Sequence, residues 1–165
     1  MFKIRLLILL PISFFLLSCT KDNQNLNKGK YSVGYIGGEY DGLVLKNILT
    51  SNLSNIGLYD QNSNFIIKSR ISHSGSLFIT NIDNTSDRMR INSELNIDII
   101  NKRFGCVTHK YKGNVSQFYI FADSDKFISN NRAEKKIREE NSEALVKEFI
   151  NKLEKPKAIC RKLNE

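Results

Sequence analysis

The chain has 165 residues, with 25 Lys and Arg against 17 Asp and Glu, and a net charge of +8. Its length suits one domain, and its basic balance suits an anionic partner, whether nucleic acid, anionic lipid or acidic glycan. The many Asn, Lys and Ile residues, with two prolines and no tryptophan, equally fit an AT-rich coding sequence, so charge alone selects no partner.

The first element is an apolar run from Leu6 to Leu17, preceded by Lys3 and Arg5 and followed by the polar stretch Lys21-Asp22-Asn23-Gln24-Asn25. The run is too short for a spanning helix, which needs about 20 apolar residues. A basic start and a short apolar middle make a secretory signal pattern. In place of a small-x-small cleavage site stands Leu16-Leu17-Ser18-Cys19, which resembles the bacterial lipobox, although Leu17 is a less usual residue there. That resemblance implies a diacylglyceryl thioether on Cys19, cleavage before it and acylation, palmitate included, of the new amino terminus. An uncleaved amino-terminal anchor, or a buried helix that contains a cysteine, is the alternative. Thr20 follows where some bacteria place an aspartate as an inner-membrane retention signal, so the resemblance implies the outer membrane. Export argues against nucleic acid as a partner. Removing residues 1–18 leaves 165 − 18 = 147 residues and lowers the net charge to +6, because Lys3 and Arg5 go with the signal.

Residues 19–30 read as a lipidated, flexible tether. A single domain is expected over 31–155 and a short tail over 156–165. In "YSVGYI", Tyr31, Val33 and Tyr35 alternate on one face of a strand. The glycines of "GGEYDG" match neither GxGxxG nor GxxxxGK[ST], and indicate a tight strand-to-helix turn with Asp41 as helix cap. Leu45, Ile48, Leu49, Leu53 and Ile56 recur at helical spacing up to Gly57, a normal stop. From Phe65 the period becomes two. Phe65, Ile67 and Ile71 lie on the greasier face, Gly75 is expected to bulge or bend the strand, and Leu77 to Thr80 resume it.

After the turn "NIDNTSD" comes the clearest pattern in the chain. Met89, Ile91, Ser93, Leu95, Ile97 and Ile99 share one face of a strand, and Arg88, Arg90, Asn92, Glu94, Asn96 and Asp98 share the other. "NKRFG" turns the chain into a second long strand carrying Val107, Tyr111, Val115, Tyr119 and Phe121. That strand is interrupted at Gly113, and Phe118 and Ile120 suggest an end covered on both faces. A helix is expected from about Asn131 to Glu154, stopped before Pro156. Ala133, Ile137, Ala144, Leu145, Phe149 and Leu153 line its buried side, and Glu134 and Arg138 form an i,i+4 pair on its solvated half. The expected fold is therefore α+β. It is a two-layer sandwich, with a mixed, mostly antiparallel sheet of about four strands and two helices on one face. The other sheet face would carry Lys68, Arg70, Arg88 and Arg90, solvated or partner-binding.

With Cys19 lipidated, Cys106 and Cys160 remain, and the layout brings them to the same end of the sandwich. They are open to a disulfide or to two free thiols. His73 and His109 are the only histidines and no ligand spacing resembles a zinc site, so neither metal nor cofactor is expected. There is no GxSxG elbow. Glu139 and Glu140 point apart on a helix, and Asp123 and Asp125 read as turn chemistry, so catalysis is not expected either.

Element order now resembles a known family. A lipobox cysteine, a polar tether, "YSVGYIGGEYDGLVLKNILTSNLSNIGLYD", the hairpin "DRMRINSELNIDIINKRFGCVTHKYKGNVSQFYIFAD" and the basic helix "NNRAEKKIREENSEALVKEFINKLEK" together resemble the LptE lipoproteins of lipopolysaccharide assembly. The resemblance covers nearly all of the mature chain, in order and pattern. It implies a non-enzymatic plug and assembly partner inside an LptD-type outer-membrane β-barrel, lipid-anchored and facing the periplasm or the lumen. It also implies contact with lipopolysaccharide, whose phosphates favour Arg and Lys. Charge and expected exposure nominate Arg88, Arg90, Lys102 and Arg103, near the two ends of the third strand. Two other classes stay open: an auxiliary lipoprotein subunit of another envelope transport or secretion complex, and a small periplasmic enzyme.

Overall fold

The computed structural model describes residues 29–79, 87–120 and 126–153. The signal segment with Cys19, Phe121, Asp123, Asp125, Glu154, the tail 156–165 and Cys160 lie outside the described residues. Six elements follow one another: β1 (Tyr31–Val33), α1 (Glu39–Asn55), β2 (Phe65–Ile79), β3 (Asp87–Asn101), β4 (Cys106–Ile120) and α2 (Phe127–Asn151). The sheet order is β1-β2-β3-β4, with β1 parallel to β2 and the remaining pairs antiparallel. This is the mixed four-stranded sheet of an α+β sandwich. Both helices pack on one face over a single core.

α1 begins after Gly38, whose left-handed φ of 111° a side chain would resist, and no side chain caps it. Asp41, the expected cap, lies inside the helix and accepts a bond from Arg138 instead. Leu45, Leu49 and Leu53 are fully buried, while Ile48 and Ile56 pack at the edge of the core. Burying each such leucine contributes roughly 1.5–3 kcal/mol. Gly57, at φ 71°, ends the helix as expected.

β1 is shorter than its sequence pattern. Tyr31 is fully buried, but Tyr35 is 88% exposed, because the chain leaves the sheet after Gly34 donates to Ile67 O at 2.9 Å. β2 runs without interruption through Gly75, which pairs with Ile91. The expected bulge is absent there. The one register shift lies between β3 and β4, where Ile99 faces His109 and Ile100 faces Val107. The Thr108 hydroxyl bonds Ile99 O at 3.1 Å at that point. β3 follows its alternation, with Ile91, Ser93, Leu95, Ile97 and Ile99 all at 1% exposure or less.

Gly113 does not interrupt β4 either; it makes room. A Cβ there would lie 2.3 Å from Tyr111 Oη and 3.1 Å from Leu145 Cδ2. Tyr111 folds over the glycine and meets Phe149 with ring centroids 5.4 Å apart. The end of β4 is not covered on both faces, since Phe118 is 44% and Ile120 71% exposed.

α2 starts four residues before the expected Asn131. Leu145, Val146, Phe149 and Leu153 are buried, whereas Ala144, expected inside, is exposed. Asn141 and Ser142 take buried places that the apolar spacing did not reveal. The expected pair forms, with Arg138 donating to Glu134. Cys106 is buried and disulfide-bonded, to a partner outside the described residues.

Gly113→Ala should destabilise the fold by about 1–3 kcal/mol, because Tyr111 cannot move without disturbing Phe149. Gly75→Ala, whose Cβ would meet Ile91 and Met89 at 3.5 and 3.7 Å, should be neutral or slightly stabilising. Urea unfolding of the two variants measures the contrast.

Candidate functional site

The sheet has two chemically different ends. At one, the chain enters the domain. Ser63 Oγ donates to Lys30 O, Tyr31 N to Leu58 O at 2.8 Å, and Lys102 N to Asn64 O at 2.8 Å. These bonds set the β3–β4 turn beside the start of β1. At that turn Phe104 is 66% exposed, with the Arg103 guanidinium 5.6 Å from its ring centre.

At the other, distal end lie Arg88 and Arg90. Register places them opposite Ile120 and Phe118 on the helix-free face, and the Arg90 guanidinium sits 4.8 Å over the Phe118 ring. Leu77, Phe127 and Ile128 are also at least half exposed at this end, beside Lys126 and Arg132. Sequence reasoning missed this apolar company. Its signal was the apolar pairs Phe118/Ile120 and Phe127/Ile128 on both sides of the connection into α2.

The four nominated cations therefore do not form one site. Arg90 and Lys102 are twelve strand positions apart, about 40 Å at roughly 3.3 Å per residue. Between the ends, the helix-free face is a polar ladder. Lys112 pairs with Glu94 at 3.1 Å, and Ser116 donates to Asn92 at 2.9 Å. Lys68 and Arg70 are exposed on it.

Under the middle of α2 lies a buried polar seam. Asn141, fully buried, donates to Ser93 Oγ at 2.9 Å, and Ser93 Oγ lies 2.7 Å from His73 Nδ1. With Asn141 donating to it, the serine hydroxyl is free to donate to Nδ1, which suits a neutral imidazole. Burial lowers the His73 pKa first; the Asp41 and Glu134 charges oppose that and Arg138 adds to it. Beside the seam, Tyr40, Asp41, Asn131, Glu134, Lys135 and Arg138 line a cavity of about 210 Å³. Arg138 bonds Asp41 at 3.3 Å, Tyr40 donates to Glu139 at 2.9 Å, and Lys135 lies 4.3 Å over the Tyr40 ring. These contacts latch α1 to α2. Glu140 faces Lys136 instead, apart from Glu139. Among the described residues no three His, Cys, Asp or Glu side chains gather in a metal-binding cluster. No described helix is long and apolar enough to cross a membrane.

No family model matches the chain, and no curated protein matches it. Its fold, however, is similar to those of solved lipoproteins. Rare lipoprotein B from Shewanella oneidensis aligns with a TM-score of 0.58 and 11% identity, over 75% of this chain and 92% of that one. Lipoprotein B from Nitrosomonas europaea gives 0.55 and 9%, over 74% and 80%. A minor lipoprotein from Acinetobacter baumannii gives 0.51 and 17%, over 74% and 90%. At these identities the likeness concerns the fold, which this chain shares with a set of bacterial lipoproteins.

His73 should carry a pH dependence. A histidine whose folded pKa lies below its unfolded value of 6.5 contributes stability that is full above pH 6.5 and is lost as pH falls toward the folded pKa. His73→Gln should flatten the fall in urea midpoint from pH 7 toward pH 5, whereas wild type should lose stability across that interval.

Proposed function

We propose that this chain is an outer-membrane lipoprotein, acylated at Cys19, that acts in lipopolysaccharide assembly as plug and assembly partner of an LptD-type β-barrel. The lipobox-like Leu16-Leu17-Ser18-Cys19 supports the anchor. The disulfide at Cys106 suits an oxidising compartment outside the cytoplasm, and Cys160 is its proposed partner. The lipoprotein fold supports the class, although a fold by itself does not fix a function.

The observation that carries the reading is the distal end. Arg88 and Arg90 stand beside exposed Phe118 and Ile120, which together suit a ligand with phosphates next to acyl chains. Guanidinium groups bind phosphate through charge-assisted bonds, and the apolar side chains would shield the first methylenes of the acyl chains. The polar ladder of the helix-free face suits a domain enclosed in a hydrophilic barrel lumen. Lys102 and Arg103, at the tether end, are left out of this site.

Charge reversal tests the assignment. Arg88→Glu with Arg90→Glu should weaken lipopolysaccharide binding by about tenfold or more in low salt, with less effect at high salt. Lys102→Glu with Arg103→Glu should leave it within about twofold. Equal losses from both pairs would sink the distal site. Depletion of the protein should reduce surface lipopolysaccharide and barrel assembly. Recovery of a different transport or secretion complex from outer-membrane extracts would instead support the auxiliary-subunit reading.

Non-reduced peptide mapping should find Cys106 joined to Cys160, and Cys19 carrying diacylglyceryl and acyl groups. A reduced Cys160 would remove the proposed pairing.

A further inference from the structure

We infer that the β3–β4 turn, Lys102-Arg103-Phe104, docks on the surface of an anionic phospholipid bilayer next to the lipid anchor. The inference rests on the anchor at Cys19 proposed above, and concerns a surface to which that proposal gives no role.

Phe104 is a large aromatic side chain held 66% exposed at the tip of a tight turn. Among the described residues the Arg103 guanidinium lies over its ring, and both residues before it are cations. The turn is also held in place: Lys102 N bonds Asn64 O at 2.8 Å, and Arg103 N bonds Asn101 Oδ1 at 3.0 Å. An aromatic ring next to two cations is a composition that sits at a bilayer interface, with the ring among the upper methylenes and the charges at the headgroup phosphates.

Placement identifies the occupant. Lys30 enters the domain beside Asn64 through its bond to Ser63, so the tether ends at the same edge as this turn. From Cys19 to Lys30 the chain has eleven residue steps, so the two can lie at most about 40 Å apart, at roughly 3.3–3.6 Å per residue. The sheet itself is about 50 Å long, from fifteen-residue strands at roughly 3.3 Å per residue. The anchor therefore keeps the turn within reach of the leaflet, and the distal end has no such constraint. One aromatic and two cations bind bilayers weakly in solution. Beside a tether of this length the contact becomes intramolecular, at an effective concentration in the millimolar range. Lys30, Lys102 and Arg103 outnumber Asp60 at this edge and leave it cationic, which complements an anionic leaflet.

The chain contains no tryptophan, so one introduced tryptophan reports on its own position. The experiment uses the mature, lipidated full chain reconstituted in phosphatidylethanolamine–phosphatidylglycerol vesicles, with part of the lipid brominated on its acyl chains. The Phe104→Trp variant should show blue-shifted emission and severalfold stronger quenching than Leu77→Trp, which places the reporter at the distal end. Adding Lys102→Glu and Arg103→Glu to the first variant should cut that quenching severalfold. If both reporters are equally weakly quenched while the chain still floats with the vesicles, docking is overturned and the anchor stands. If the chain does not float, the anchor and the docking fall together. Shielding at position 104 that appears only after a β-barrel partner is added would also overturn docking, in favour of a protein contact.

Discussion

The inner face of β3 is apolar on both sides of Ser93, and the arrangement of the domain turns on that one polar position. Toward the tether end, Leu95, Ile97 and Ile99 meet Leu45, Leu49, Leu53, Leu145 and Phe149 in a dry core. Toward the distal end, the same face meets α2 through Ser93, Asn141 and His73. Apolar contacts tolerate small shifts, whereas the bonds from Asn141 to Ser93 and from Ser93 to His73 favour one register, because a slip would break them in a dry place where Asn141 Oδ1 already has no partner. The seam thus sets where α2 lies along the sheet, and Arg138 then ties it to α1 through Asp41.

Two ends of different composition follow. The hydrophobic half holds the domain together and fixes the point where β1 begins. The polar half contributes less to packing and leaves Phe118, Ile120, Phe127 and Ile128 at its rim. The proposed roles, one end near a bilayer and the other on an amphipathic ligand, match this asymmetry. Charge is shared by both ends, so net charge does not separate them. The apolar neighbours of each cation do.

The edges of the sheet also follow from the short β1. Only Phe65, Ile66 and Ile67 of β2 are paired by it, and β4 has no further strand beyond it among the described residues. Charged side chains such as Lys110 and Lys112 line β4, a usual defence against edge-to-edge association.

Element order, the α1 stripe and the alternation of β3 were legible in the residues alone, because each depends on periodicity within one element. So was the Glu134–Arg138 pair, which is local to a helix turn. Only the tertiary structure decided the meaning of Gly75 and Gly113. Both looked like interruptions, yet one merely pairs with Ile91 and the other is the space beneath Tyr111. A glycine's role is set by what lies across from it, and sequence spacing does not contain that. The same holds for Asn141, polar by type but buried because Ser93 stands opposite, and for Phe118 and Ile120, left open because they lie on the sheet face that carries no helix. The division of Arg88 and Arg90 from Lys102 and Arg103 follows from strand length. An antiparallel strand carries its two ends about 50 Å apart over fifteen residues at roughly 3.3 Å each, whereas a list of cations carries no distance at all.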